Sequence, residues 1–545
     1  MPSSIGEYVG RYCDPPQLPP LAAAPSDIAL TPAELDAAAP TAADPAMRCF
    51  ARRLEAQDAS RPLRIAMFGT SVTAGNRCRA HGANFPQLLL QLLGRRAPAA
   101  NLTLDVYSYP GASPTFMRSC FRTLLPAASA DLYVVEMTDN LAGAAASGGD
   151  LEQLLAAMRR RAPHAAVVLL TPIDQTCVRG LKRMKPFAAV PRDAAGTAQI
   201  LERCYSNATV SAAFEAVGRA HNISVVSGRL AVRDRLLAAP DGATAYVGRL
   251  VHDSAHPGRY GHLQLALALE HAIVAHFRAA EVPPRPPRPP GREPHACAAA
   301  RRARGGGGGW AYGSNVFASR AAPAAGAEPL QVCALGPSLQ PYVTRSSGWE
   351  YTVERNSQGV EKPGYVARAA GASLELCYRP PPPSDAKLES SARRGVAAVS
   401  YAWSLGYLMS YEGMGRARGS CVGGGACTCG ARVFDAHWKR LTSQPHISRL
   451  QLKYKFVRGG GGGAAWVPAA SLAVGGGEGG AGGGEGGGGG GGGAAARCPC
   501  VIRLEVLNET SSAGHKWKLV ALMSGFYTGT IVGDAVEWAA RYGIM

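Results

Sequence analysis

Hydrophobic and polar positions change rhythm twice along the chain. In the first half, short apolar runs alternate with stretches of helical spacing. Leu63–Phe68, Leu102–Tyr109, Leu132–Met137, Ala165–Leu170 and Ile223–Val226 read as buried strands. Asn84–Gly94, Asp150–Arg161, Ala198–Ala220 and Gly261–Phe277 read as helices, the second opening on an acidic cap. Strands that alternate with helices imply an α/β fold with a parallel sheet covered on both faces. Ligands of such sheets bind beyond the carboxyl ends of the strands. That rule directs attention to Gly69–Gly75, Tyr109–Ser113, Thr138–Asn140 and the segment before the last helix.

The second half is different. Tyr351–Glu354, Ser373–Tyr378, Val396–Trp403, Leu450–Val457, Val501–Leu507 and Lys516–Met523 are short runs rich in Val, Tyr and Trp, divided by Gly and Pro. They predict an all-β, sandwich-like domain. The domain organisation expected is a disordered lead-in over 1–47, rich in Pro and Ala, and an α/β domain over 48–280. A Pro/Gly-rich linker over 281–329 follows, then the β-rich domain over 330–530 and a tail over 531–545. The Gly-rich tract 459–493 is expected to be a disordered insertion between two strands.

Composition narrows the classes. The net charge is +18, yet 48 of the 57 basic residues are arginine and they are scattered, with short runs at Arg159–Arg161 and Arg301–Arg304. Arginine enriched together with Ala, Gly and Pro points to GC-rich coding, and no nucleic-acid-binding motif accompanies it, so no nucleic-acid partner is expected. No apolar stretch is long enough for a spanning helix. The 14 cysteines and the sequons at Asn101, Asn207, Asn222 and Asn508 favour the secretory pathway or the cell exterior. Met1–Pro20 lacks the features of a signal peptide, and a leader missing from the start of the chain would reconcile the two. Cys427 and Cys429, like Cys498 and Cys500, are separated by one residue, too tightly for the usual zinc knuckle; disulfides are expected instead, with no metal and no organic cofactor.

A serine hydroxyl needs a base, a group that orients the base, and donors for the developing oxyanion. Ser71 follows the first strand in Phe68-Gly69-Thr70-Ser71-Val72-Thr73-Ala74-Gly75, at the start of a helix-competent segment. Taken alone it reads more readily as a helix cap. Asp253-Ser254-Ala255-His256 precedes the last helix, and D-x-x-H spacing lets the carboxylate meet one imidazole nitrogen while the other faces a serine. Taken alone it is a surface loop. Gly111 and Asn140 follow the second and third strands and offer a backbone and an amide donor; taken alone they are a turn glycine and a helix cap.

The order Ser, Gly, Asn, Asp-x-x-His after successive strands resembles the SGNH (GDSL-like) hydrolase superfamily over residues 60–280. The run His256-Pro257-Gly258-Arg259-Tyr260-Gly261-His262 strengthens the likeness. The resemblance implies a flavodoxin-like three-layer α/β/α domain. It implies Ser71 as nucleophile, His256 as base and Asp253 as its partner, with the Ser71 N–H, Gly111 and Asn140 in the oxyanion hole. Two blocks depart: Gly-Thr-Ser stands for Gly-Asp-Ser, and Thr-Asp-Asn-Leu for Gly-x-Asn-Asp. Glu136 and Asp139, near the second departure, would either tune the pocket or make structural hydrogen bonds, and the second is expected. Tyr407–Gly415, Asp435–Trp438 and His515–Leu519 look like the β-rich region that accompanies such domains in plant and algal proteins. Their aromatics would either stack on sugars or fill a core.

The resemblance implies a serine esterase acting on an acyl or acetyl ester, on a carbohydrate in the fullest reading. An O-acyltransferase would use the same triad, and a non-catalytic carbohydrate-binding protein would keep only the fold. Thr171–Pro191 is a candidate pocket loop; its Lys182, Arg183 and Lys185 would meet an anionic substrate group or solvent.

Overall fold

The first buried run forms β1 (Leu63–Gly69) and pairs on either side with β2 (Leu102–Ser108) and β3 (Leu132–Val135). β4 (Ala166–Thr171) and β5 (Ser224–Ser227) follow, giving the all-parallel order β2-β1-β3-β4-β5. This is the doubly wound, flavodoxin-like order, with its topological switch between β1 and β3. The computed structural model describes residues 27–39, 44–57, 59–75, 78, 84–108, 114, 116–118, 120, 130–137, 148–182, 189–191, 193–206, 209–253, 256–278, 332–355, 361–379, 392–393, 396–423, 425–438, 443–458, 466–468 and 498–526. They fall into two compact units, 27–278 and 332–526.

In the first unit the chain supplies α1 (Pro32–Ala38), α2 (Pro45–Glu55), the single turn α3 (Ser71–Ala74), α4 (Phe85–Arg96), α5 (Gly148–Arg161), α6 (Gln175–Leu181), α7 (Ala194–Tyr205) and α8 (Val210–Ala220). Then come α9 (Gly228–Ala231), α10 (Arg233–Ala238), α11 (Pro240–Leu250) and the closing α12 (Arg259–Arg278). Alternate strand residues face opposite layers. Ile65, Met67, Leu132, Val134, Val168 and Leu170 share one core with α2, α4 and α12. On the other face Phe68 meets Tyr133, and Gly218 of α8 backs onto Val225 and Leu169. Both faces are therefore covered, which is why the strands read as continuous apolar runs. β2, at the sheet edge, is only half-buried.

Three expectations need correction. Residues 27–39 and 44–47, assigned to a disordered lead-in, are folded. Thr31 caps α1 in a capping box, Asp44 caps α2, and Ile28 and Met47 are buried. Arg235 grips Glu34 at 2.7 Å and Gln264 donates to the Ile28 carbonyl at 2.7 Å, long-range partners that composition conceals. The helix expected over Ala198–Ala220 is two helices, because Thr209 starts a new one by accepting the Ala212 N–H. Within the Gly-rich tract, Trp466–Pro468 is a strand paired with Phe456–Arg458; the rest of that tract, the linker and the tail lie outside the described residues.

The second unit is an antiparallel sandwich. One sheet orders Arg432–Asp435, Arg416–Gly423, Val501–Val506, Ser373–Cys377 and Val343–Ser347. The other is built on two long strands, Val396–Met409 and Gln444–Arg458, paired from Val396↔Val457 to Met409↔Gln444, with Trp517–Phe526 beside the first. Leu374, Leu376, Ile502 and Leu504 of one sheet share a core with Tyr401, Trp403, Leu452 and Tyr454 of the other. Tyr407 and Trp517 stack inside that core, so these two motif aromatics are packing residues, while Tyr411 is exposed. Cys421–Cys429, Cys427–Cys500 and Cys377–Cys498 are disulfides. Cys421, Cys427 and Cys500 lie close enough to suggest a metal cluster, but bonded sulfurs are not thiolate ligands.

Candidate active site

The first strand ends in a tight turn because residue 69 is glycine. A Cβ there would stand 1.8 Å from Thr73 Oγ1. Thr70 then caps α3 through its hydroxyl, and Gly75 ends it in the left-handed region at φ 67°. Ser71 is the first residue of this turn, at the carboxyl end of β1 and beside the switch point.

Asp253 and His256 come from the loop between α11 and α12. The loop closes on itself: the His252 N–H donates to the His256 carbonyl at 3.1 Å and the Gly258 N–H to Leu250 at 2.7 Å. Gly261 lets α12 press against this closure, since a Cβ there would lie 2.3 Å from the Leu250 oxygen. The Asp253 carboxylate accepts the His256 backbone N–H at 2.8 Å and faces His256 Nδ1 at 2.7 Å. His256 Nε2 lies 2.8 Å from Ser71 Oγ. An ionised carboxylate only accepts, so Nδ1 carries the imidazole proton and Nε2 offers its lone pair to the serine. The His256 side chain keeps 25% of its exposure and Asp253 35%, so the constellation opens to solvent and a substrate can reach it.

Two further histidines shape the electrostatics. His252 is buried, stacks on His256 at 5.8 Å, and places Nε2 3.3 Å from the same Asp253 oxygen. Burial pushes the Asp253 carboxyl up, but the hydrogen bonds and charges of His252 and His256 outweigh it and hold it far below the usual carboxylate range. His262 is buried, accepts the Phe85 N–H on Nδ1 at 3.3 Å, and is held down to about 3 by burial and by its histidine neighbours.

Lys182 takes a role that the sequence does not announce, and Glu136 finds partners that it does not name. Lys182 is half-buried and donates to the carbonyl oxygens of Val251 at 2.9 Å and Asp253 at 2.6 Å. Its ammonium is therefore committed to the loop that carries Asp253 and His256 rather than to a substrate anion or solvent. It follows α6, which the Cys177–Cys204 disulfide fastens to α7. Glu136 is fully buried and bonds to the backbone and hydroxyls of Thr70 and Thr73, the structural use expected of it. The adjacency of His252 to Asp253 was the one local signal for a second histidine on the carboxylate. Gly111, Asp139, Asn140, Arg183 and Lys185 lie outside the described residues.

No family model matches the chain, and no curated protein matches it. Among solved structures it is similar to a two-domain esterase active on acetylated mannans, at 12% identity and TM-score 0.48, covering 88% of this chain and 95% of that one. It is also similar to Axe2, an acetylxylan esterase from Geobacillus stearothermophilus, at 16% identity and TM-score 0.28, over 38% of this chain and 93% of that one.

Proposed function

We propose that the first unit is a serine hydrolase that cleaves carboxylic esters, an acyl or acetyl group on a carbohydrate hydroxyl, through an acyl-enzyme on Ser71. The observation that carries this reading is the unbroken relay Ser71 Oγ–His256 Nε2, His256 Nδ1–Asp253 Oδ2, at 2.8 and 2.7 Å. His256 takes the Ser71 proton as the oxygen attacks the ester carbonyl. The imidazolium, steadied by Asp253, then protonates the leaving alcohol. Water repeats the cycle on the acyl-enzyme. The Ser71 N–H, at the start of α3, is the proposed oxyanion donor, joined by Gly111 and Asn140 on the strength of the family resemblance. The carbohydrate part of the reading rests on that resemblance too.

The test is hydrolysis of p-nitrophenyl acetate and release of acetate from acetylated polysaccharide, beside Ser71→Ala. Turnover on both substrates that the variant abolishes supports the whole proposal. Turnover on the aryl ester alone keeps the esterase and removes the carbohydrate. No turnover, with no labelling of Ser71 by a fluorophosphonate, overturns the proposal.

A further inference from the structure

Glu136 ends β3 one residue beyond its last ladder position, tied to β1 by its N–H to the Phe68 carbonyl at 2.8 Å. Its side chain is wholly buried behind the nucleophile turn. One oxygen, Oε2, accepts the Thr70 N–H at 3.1 Å, the Thr70 hydroxyl at 3.0 Å, the Thr73 N–H at 3.2 Å and the Thr73 hydroxyl at 2.8 Å. These residues bracket Ser71. The Val72 N–H goes to the Thr70 hydroxyl at 3.4 Å. The Thr70, Val72 and Thr73 N–H groups around the nucleophile are thus drawn inward, and the carboxylate does not take the Ser71 N–H.

A buried carboxyl is costly unless its hydrogen bonds are satisfied. Burial pushes Glu136 up, and the four donors pull against it. The arrangement is also sterically committed: the Thr73 hydroxyl passes so close over Gly69 that no Cβ fits there. Position 70 is where the Gly-Asp-Ser block carries an acid and this chain carries threonine. Thr70 is the N-cap of α3, and an aspartate at an N-cap would aim its carboxylate at the Val72 and Thr73 N–H groups, the second of which Glu136 holds here.

We propose that Glu136 is the positioning residue of the nucleophile turn, supplying from β3 the carboxylate that the chain lacks at position 70. It acts through Thr70 and Thr73, orienting Ser71 Oγ toward His256 and leaving the Ser71 N–H for the oxyanion. The inference rests on the reading of Ser71 as nucleophile.

The experiment compares wild type, Glu136→Gln, Thr70→Asp and the double variant in the full chain. kcat and KM are measured on p-nitrophenyl acetate, with the melting temperature of each protein. A small displacement of a nucleophile costs on the order of a hundredfold, so Glu136→Gln is expected to lose about ten- to a hundredfold in kcat with KM nearly unchanged. Thr70→Asp alone puts two carboxylates side by side and also loses kcat. The double variant, with its acid moved to position 70, regains most of the Glu136→Gln loss. A folded Glu136→Gln with wild-type kcat overturns the proposal, and so does a loss that Thr70→Asp fails to restore. Should Glu136→Gln not fold, Thr73→Val removes one donor at constant volume; it is expected to lower kcat several-fold, and an unchanged kcat overturns the proposal. A wild type that neither turns over nor labels at Ser71 is a different pattern, and it removes the hydrolase reading together with this inference.

Discussion

The Lys182 ammonium lies 2.6 Å from the carbonyl oxygen of Asp253, and the same nitrogen holds Val251 at 2.9 Å. A residue 71 positions upstream thereby fixes the backbone that aims the Asp253 carboxylate at His256. Burial lowers the Lys182 pKa and the nearby Asp253 charge opposes that shift. Lys182→Met is expected to cut kcat about tenfold with little change in KM, because it loosens geometry rather than substrate contacts. Lys182→Arg keeps two donors and should recover part of the loss. Steady-state kinetics on an aryl acetate read both.

Asp253→Asn should be far more damaging than its size suggests. The amide can donate to His256 Nδ1 and so favour the tautomer that points a proton at Ser71. Removal of the charge also leaves the imidazolium unsupported. The expected loss in kcat is on the order of 10³–10⁴, with the fold intact. A loss under about tenfold in the folded variant would show that His256 does not depend on this carboxylate.

His262 predicts acid lability. In the folded chain it stays neutral down to about pH 3, whereas an exposed histidine takes up a proton near pH 6.5. Between those values the unfolded state binds more protons, so its contribution to stability is full above about 6.5 and is lost as pH falls. The slope approaches ~1.4 kcal/mol per pH unit. Asn at 262 can still accept the Phe85 N–H. Urea unfolding from pH 7 to pH 4 should fall less steeply for His262→Asn than for the wild type.

In the β-rich unit Glu354 accepts from Lys516 and Lys518, each at 2.9 Å, and Lys518 is wholly buried. Burial pushes Glu354 up, but the two lysines prevail and hold it down to about 2. A depressed carboxylate contributes stability above its unfolded pKa, near 4.3, and that contribution fades as pH falls toward 2. Glu354→Gln leaves the Lys518 charge without this partner. The expected cost is about 2–3 kcal/mol, below that of a fully buried pair because Glu354 still faces solvent. Calorimetry at pH 7 checks the loss, and the difference from wild type should shrink toward pH 3.

The alternating buried strands were legible because a parallel sheet covered on both faces demands continuous apolar runs. Four of the five expected strands lie within a residue or so of their observed bounds; Leu132–Met137 ends early, at Val135, where Glu136 leaves the ladder to bond Thr70 and Thr73. Ser71, Asp253 and His256 were legible as residue types in an expected order. Residues 27–39 were not, because what folds them, Arg235 on Glu34 and Gln264 on Ile28, comes from about 200 positions away.

The sequence by itself determined the layer architecture, the position of Ser71 after β1, and the pairing of Asp253 with His256. All are properties of local pattern and short spacing. Only the tertiary structure decided that His256 reaches Ser71 across 185 residues, that Lys182 serves the loop rather than a ligand, and that Glu136 lies beneath Ser71. The reason is physical. A lysine or a buried acid can satisfy its hydrogen bonds with any suitable group, and which one it meets depends on where the sheet brings the chain back to itself.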